Sequence, residues 1–156
     1  MPLQTSSEPP VFATDEDALA AATEAYAAYL SASDRSWSGA DLRREKFLAL
    51  STGTAHEQDV EVTQLFEERG WRKVGSTSFD SMRLQSSAAN DAGQWELRAY
   101  VCVDVSRSDV LDSFGASAAE PDRSLRMPLE LAFVSSTQDT PLLISESKIW
   151  HGSNFC

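Results

Sequence analysis

The spacing of apolar residues changes at Gly70 from a helical period of about 3.6 to a strand period of about 2. Before Gly70, apolar residues recur three or four positions apart, which is typical of helices with one face on a core. After Gly70, apolar and polar residues alternate, which is typical of strands with one buried face. This order favours an α+β architecture, in which N-terminal helices pack on one face of an antiparallel sheet.

Three helices are predicted before Gly70. The first covers ATDEDALAAATEAYAAYLSAS, where Thr14 suits the N-cap and Asp17 stands at the capping-box position. A short second helix is expected after Asp41. The third covers AHEQDVEVTQLFEERG and ends at Gly70, because glycine adopts the left-handed conformation that terminates helices. The apolar residues expected to face inward from the third helix are Val62, Leu65 and Phe66.

Four strands are predicted after Gly70, arranged as an antiparallel meander. They are WRKVGSTSFDSMRLQSS, WELRAYVCVDVS, RMPLELAFVSS and LLISESKIWHG. Gly75 is expected to bulge the first strand, and VLD followed by SFG is expected to form a small hairpin at the end of the sheet. Alternation puts Leu97, Val101 and Leu131 on a buried face and Cys102 on the opposite, wetter face.

Length and charge limit the classes of protein that remain. The 156 residues suit one domain, and we assign residues 1–12 to a flexible lead and 13–156 to the domain. With 24 acidic and 13 basic residues, the formal net charge is -11. No Lys and Arg cluster supplies the basic footprint that nucleic acid requires, so we expect no nucleic-acid partner.

The apolar runs give no membrane or export signal. No run approaches the roughly 18 residues of a membrane span, and MPLQTSSEPP lacks the apolar core of a signal peptide. That opening is either a tether that follows a removed signal segment or the natural start of a cytosolic protein.

Two cysteines, Cys102 and Cys156, form either a bridge or two free thiols. Cys156 is the last residue, where a buried structural thiol is not expected. A bridge would pin the C-terminus to the sheet, and closing a loop of about 54 residues contributes roughly 4 kcal/mol in the chain-entropy model. We expect the bridge, which implies an extracytoplasmic location, whereas two free thiols fit a reducing cytosol.

Five stretches, together with the order of elements, carry a resemblance to a known superfamily. They are ATDEDALAAATEAYAAYL, VGSTSFDSMRLQ, YVCVDVS, MPLELAF and IWHGSNFC. Over about residues 12–156 the chain resembles the NTF2-like superfamily, the cystatin-like cone fold of the SnoaL and ketosteroid-isomerase families. More narrowly, it resembles secreted proteins or lipoproteins of actinobacteria.

The resemblance implies a curved sheet wrapped against helices around an apolar cone. In this superfamily the cone holds a small molecule, is closed by side chains, or belongs to a protein-binding scaffold. The narrower group implies a domain that is secreted or lipid-anchored at the cell envelope. No lipobox cysteine is present, so an anchor would belong to a missing upstream segment.

Enzymes of the resembled superfamily carry an acid or base on the cone wall. Asp80 would lie among apolar neighbours if the strand face that it shares with Leu84 is inward, and burial would then raise its pKa for general acid or base catalysis. Glu146 or Tyr100 would assist. Alternatively, Asp80 lies outside, where it caps a turn or pairs with Arg83.

Aromatic residues are the candidates for ligand binding, namely Tyr26, Trp95 and Trp150, although such residues more often fill a core. We expect His56 in solvent near the start of the third helix, and His151 exposed or structural. No phosphate loop, Rossmann glycine pattern, nucleophile elbow or metal-ligand cluster is present, so we expect no cofactor and no metal.

These observations lead to a non-enzymatic, exported NTF2-like domain that binds a protein partner or a small apolar ligand at the cell envelope. One alternative is a small lyase or isomerase that uses Asp80. Another is a scaffold domain of a secretion or conjugation apparatus. Monomer and homodimer both remain open, since many members of the superfamily dimerise through the open sheet face.

Overall fold

The computed structural model describes residues 12–38, 44–135 and 141–156. Its helices are α1 Asp15–Ser36, α2 Arg44–Leu48 and α3 Gly53–Arg69. Its strands are β1 Arg72–Gly75, β2 Ser78–Ala89, β3 Trp95–Asp104, β4 Ser108–Leu111, β5 Arg126–Ser135 and β6 Leu143–Ile149. Helices therefore precede strands, and the predicted α+β class is confirmed. Within the described ranges, no helix combines the length and the apolarity that a membrane crossing requires.

The strands form two separate sheets. Strands β2, β3, β5 and β6 make a four-stranded antiparallel sheet in that order, and β1 pairs with β4. The predicted first strand is thus divided after Gly75, which has a φ of 80°. A side chain at Gly75 would collide with the Arg107 carbonyl, so glycine allows both the close approach and the left-handed turn between the sheets.

Local signals define the ends of the helices. The Asp17 backbone N–H donates to Thr14 Oγ1 at 3.1 Å, as expected for an N-cap, and Gly70 ends α3 with a φ of 66°. Asp41, expected before α2, and residues 136–140, which join the predicted third and fourth strands, lie outside the described residues.

Side chains fill the space between the helices and the sheet. Helix α1 packs against β2, and α3 packs against β6. The largest fully buried side chains in this space are those of Tyr26, Phe47, Leu97, Val101, Leu131, Phe133 and Ile144, whereas Cys102 is buried on the opposite face of the sheet. Tyr26 meets Phe79 and Phe133 edge-on, with ring centroids 5.0 and 6.4 Å apart. Leu97, Val101 and Leu131 are buried, so the parity predicted for the two central strands is confirmed.

The parity predicted for β2 is wrong beyond Asp80. Ser81 has a φ of 59°, and the β2–β3 register shifts between Asp80 and Arg83. Met82 and Leu84 consequently pack against the core while Asp80 is exposed. One irregular residue therefore separates positions that strict alternation would put on the same face.

Strand β6 contains a similar irregularity. Ile144 pairs with Phe133, whereas Glu146 pairs with Ala132, so Ser145 is an additional residue on this strand. Ile144 is fully buried, and Glu146 lies on the outer face of the sheet. Strict alternation along this strand would put Ile144 and Glu146 on the same face, and the additional residue puts them on opposite faces.

Candidate functional site

The three residues considered as catalytic lie on the outer face of the sheet. Asp80 is opposite Cys102 in the β2–β3 register, and Tyr100 alternates with the buried Val101. Glu146 reaches this face because of the β6 irregularity. The condition on which catalysis by Asp80 depended, a carboxylate among apolar neighbours inside the cone, is not met.

Charged partners surround Asp80. Arg126 Nη1 lies 3.0 Å from Asp80 Oδ2 and 3.2 Å from Asp104 Oδ2. Hydrogen bonds from Arg126 and from the Ser81 hydroxyl lower the pKa of Asp80 below its ordinary value. Asp80 is therefore ionised at neutral pH, and its ion-pair partner is Arg126 and not Arg83.

Glu146 belongs to a second charged cluster. Arg98 lies between Glu96 and Glu146, with N–O distances of 2.8 and 3.0 Å. Arg98 is four residues from Cys102 on β3, or about 13 Å along the strand, so this cluster is separate from that of Asp80. The structure does not bring the three catalytic candidates together.

The outer face also carries the C-terminal tail. The predicted disulfide between Cys102 and Cys156 is confirmed, with Cα atoms 5.6 Å apart. Tyr100 contacts Trp150 and Phe155, with ring centroids 5.1 and 6.0 Å apart. The tail is thus held on the sheet by one covalent bond and by aromatic packing.

The aromatic residues considered for ligand binding lie in three different places. Tyr26 is in the core, and Trp150 packs against Tyr100 at the start of the tail. Trp95 is half-buried at the start of β3, where its indole N–H donates to Ser87 Oγ at 2.8 Å. They do not line one pocket.

Asp59 on α3 is a buried acid that the sequence did not reveal. Its side chain is only 6% exposed, and it accepts a hydrogen bond from the Tyr29 hydroxyl at 2.7 Å. Its other oxygen, Oδ2, accepts none from any residue that the structure describes. Burial raises the pKa of Asp59 above its ordinary value, although the hydroxyl groups of Tyr29 and Ser51 act in the opposite direction.

The buried stripe of α3 differs from the predicted one. It consists of Ala55, Asp59 and Thr63, which recur at four-residue spacing, whereas Val62, Leu65 and Phe66 are only partly buried. That spacing of small and polar residues was the available signal for Asp59.

His56 is also placed differently from the prediction. Its Nδ1 atom lies 2.9 Å from the Leu48 carbonyl oxygen and 3.4 Å from Ser51 Oγ, and its ring is half-buried. The contact with the carbonyl requires Nδ1 to be protonated and donating. His56 therefore links α3 to the last residue of α2. His151 is exposed, in agreement with one of the two roles expected for it.

An apolar cavity of about 320 Å³ lies between α1 and the start of β6. Its described lining residues are Phe12, Ala21, Glu24, Ala25, Ala28, Leu50, Pro141 and Leu142. Glu24 is the one ionisable residue among them, so the cavity offers apolar contacts and little chemistry.

No protein-family model matches the chain, and no curated protein is significantly similar to it. Similar structures include the intermembrane space region of chloroplast protein ARC6, with a TM-score of 0.57, 10% identity, and coverage of 84% of this chain and 95% of that one. A periplasmic fragment of TraM has a TM-score of 0.57 and 12% identity, covering 89% of this chain and 100% of the fragment.

Aln2 from a Streptomyces species also matches, with a TM-score of 0.42 and 16% identity over 83% of this chain and 87% of Aln2. That similarity is too distant to support an inference. The ARC6 and TraM matches show a shared α+β fold at identities that carry no information about chemistry.

Proposed function

We propose that this chain is an NTF2-like scaffold domain that works outside the cytoplasm by binding a protein partner. The observation that carries the proposal is the filled interior. Tyr26 is 2% exposed, and Leu97 and Phe133 are fully buried. Side chains therefore occupy the space that holds a small molecule in some proteins of the resembled superfamily.

The disulfide supports the proposed compartment. A bond between Cys102 and Cys156 persists in an oxidising environment and is rare in a reducing cytosol. The ARC6 and TraM fragments with a similar fold come from an intermembrane space and a periplasm. By resemblance to the actinobacterial group, the domain would be secreted or lipid-anchored at the envelope.

The more specific form of this proposal is a scaffold within a secretion or conjugation apparatus. An enzyme that uses Asp80 with Glu146 or Tyr100 is not proposed, because these residues lie apart on the outer face and Asp80 is ion-paired.

A photo-crosslinking residue tests for the protein partner in the organism that makes the chain. It is placed in turn at Phe114, Lys148 and Glu61, which lie on a loop, on β6 and on α3. We expect one recurrent protein, captured from one of these surfaces and not from the others. Failure to capture any recurrent protein from any of the three would count against the proposal.

The apolar cavity beside α1 favours a small apolar ligand as a second candidate function. Its volume of about 320 Å³ is at the lower end of known small-molecule sites. Ala25→Trp would fill the cavity, whereas Ala27→Trp on the exposed side of α1 is a matched control. A bound apolar molecule that Ala25→Trp displaces and Ala27→Trp retains would establish this function.

A further inference from the structure

A groove at one end of the molecule is lined by aromatic side chains from three segments. Trp37 follows α1, Phe66 belongs to α3, and Trp71 precedes β1. The Phe66 ring centroid lies 5.3 Å from that of Trp37 and 5.8 Å from that of Trp71. The groove has a volume of about 300 Å³, enough for one large apolar side chain.

Cations line this groove, although the chain as a whole is strongly acidic. Arg44 and Arg72 are the basic residues of its described lining, and Glu67 is the acidic one. Arg44 forms an ion pair with Glu67, whereas Arg72 has no ion-pair partner within 12–38, 44–135 and 141–156. Arg69 adds a further cation, with its guanidinium 4.8 Å from the Trp71 ring centroid.

A buried hydroxyl group is available at the same groove. Ser36 is 5% exposed, lines the groove, and its Oγ has no hydrogen-bond partner in the part of the chain that the structure describes. Buried polar groups in native proteins are normally satisfied, so this hydroxyl indicates a polar contact that an occupant would supply.

An exposed aromatic residue adjoins the groove. Phe114 is 93% exposed at the tip of the turn formed by residues 112–116, which follows β4 and corresponds to the hairpin predicted near SFG. Asp112 holds this turn by accepting hydrogen bonds from the backbone N–H groups of Phe114 and Ala116 at 2.8 and 3.0 Å. Ser113 lies beside Gly70 of the groove, because a Cβ atom added at Gly70 would be 3.3 Å from Ser113 Cβ, and this places the turn next to the groove.

We propose that the aromatic end, defined as Trp37, Phe66, Trp71, Arg72 and Phe114, is the surface that binds the protein partner. Its occupant is an exposed segment in which an aromatic or aliphatic side chain lies next to Asp or Glu. The apolar side chain enters the groove, and the carboxylate pairs with the Arg72 guanidinium. This inference rests on the proposed function, because it names the surface and the class of partner for that function.

Charge complementarity decides which segment the surface accepts. An acidic chain of net charge -11 disfavours anionic partners over most of its surface. This groove is an exception, because Arg72, which has no ion-pair partner in the described ranges, lies there beside three aromatic rings. The carboxylate of the partner segment can pair with Arg72 while its apolar side chain contacts the rings. The surface therefore excludes segments that are only acidic or only apolar.

The four tryptophan indole N–H signals report directly on this proposal. Trp37 and Trp71 lie in the aromatic end, whereas Trp95 and Trp150 lie elsewhere and act as internal controls. The oxidised full chain, labelled with ¹⁵N-tryptophan, is titrated with acetyl-Glu-Phe-Asp-Leu-amide and with its neutral analogue acetyl-Gln-Phe-Asn-Leu-amide. We expect only the Trp37 and Trp71 signals to move, with Kd on the order of 1 mM for the acidic peptide and at least several-fold weaker binding of the analogue.

Single-residue variants separate the apolar contribution to peptide affinity from the ionic contribution. Arg72→Gln is expected to remove the preference for the acidic peptide, and Phe114→Ser is expected to weaken both peptides several-fold. Ile149→Ser removes an apolar residue of 53% exposure on the far edge strand and is the matched control, which should bind as the unaltered chain does. Equal affinity for the two peptides, movement of the Trp95 or Trp150 signals, or no movement at all would overturn the proposal.

The crosslinking experiment distinguishes a failure of this surface as the binding site from a failure of the proposed protein-binding function. Recurrent capture of one protein at Phe114 supports both. Capture at Lys148 or Glu61 but not at Phe114 retains the protein-binding function and overturns the aromatic end as its site. No recurrent capture at any position counts against the function itself.

Discussion

At the scale of single residues, Asp59 is an ionisable side chain that lies in an unfavourable, buried environment. It is a carboxyl group in the interface between α1 and α3, with one oxygen bound by Tyr29 and the other unpartnered among the described residues. A buried charge is unfavourable unless it is fully hydrogen-bonded, and Asp59 is not. Burial therefore makes the folded state bind this proton more tightly than the unfolded chain does, which is the direction of the shift in the pKa of Asp59.

The first prediction concerns the pH dependence of stability. Because the folded-state pKa of Asp59 is raised, its stabilising contribution is present below the unfolded pKa of about 4 and is lost as pH rises through the folded value. We expect Asp59→Asn to gain stability relative to the unaltered chain as pH increases from about 4. Urea unfolding across that pH range measures the difference, and Glu61→Gln on the exposed side of α3 is the control.

A difference between the unaltered chain and Asp59→Asn that stays constant with pH would contradict this account. Tyr29→Phe provides a second check, since it removes the hydrogen bond to Oδ1 of a buried carboxylate. It should lower the free energy of unfolding by about 1–3 kcal/mol, with the larger loss at neutral pH.

The second prediction concerns Ser81, whose φ of 59° separates Asp80 from the core-facing Met82. A β-branched residue is poorly accommodated in this conformation, so Ser81→Val should lower the free energy of unfolding by about 1–3 kcal/mol. Ser81→Gly should be nearly neutral. Ser78→Val, at an exposed β2 position without positive φ, should also be tolerated. Equal thermal stability of Ser81→Val and Ser78→Val would exclude the proposed backbone constraint.

At the scale of elements, the central strands were predictable and the edge strands were not. The register between β3 and β5 is uninterrupted, so the sequence shows which face of the sheet each side chain belongs to, although Cys102, Ala132 and Val134 are buried on the outer face as well. β2 contains two register irregularities, one at Ser81 and one between Leu84 and Ser86, and β6 contains one at Ser145. A serine in a strand gives no signal that it bulges, because the bulge depends on pairing with a neighbouring strand.

Helix ends were predictable because they do not depend on pairing with a distant segment. Thr14 and Gly70 act through contacts within their own turn, so their roles depend on local sequence alone. The disulfide was predictable because Cys156 is the last residue, where a buried structural thiol is not expected. Asp59 was missed because an acidic residue on a helix is ordinarily a surface residue, and its burial depends on how α1 and α3 meet.

The third prediction concerns the C-terminal tail as an element. Cys156→Ser opens a disulfide of sequence separation 54 while changing an exposed residue. It should lower the free energy of unfolding by about 2–4 kcal/mol in denaturant titration, because the unfolded chain regains its loop entropy. Reductant should produce a similar loss in the unaltered chain and none in the variant. Further loss in the reduced variant would show that the bridge is not the cause.

At the scale of the whole molecule, the domain combines a filled interior with surfaces of different character. The outer face of the sheet carries ion pairs around Arg98 and Arg126 and the tethered tail. The aromatic end instead presents apolar rings and a cation without an ion-pair partner among the described residues. Only the composition of these surfaces was visible in the sequence, since Trp37, Trp71 and Phe114 come together through the arrangement of α1, β1 and β4.

The central claim, that side chains fill the interior of the domain and leave no bound small molecule there, is tested most directly by native mass spectrometry of the purified, oxidised chain. The prediction is the mass of the polypeptide less two hydrogens for the disulfide, with no excess. A mass excess of a few hundred daltons that disappears on denaturation would contradict it and establish a ligand-binding domain, with the cavity beside α1 as its first candidate site.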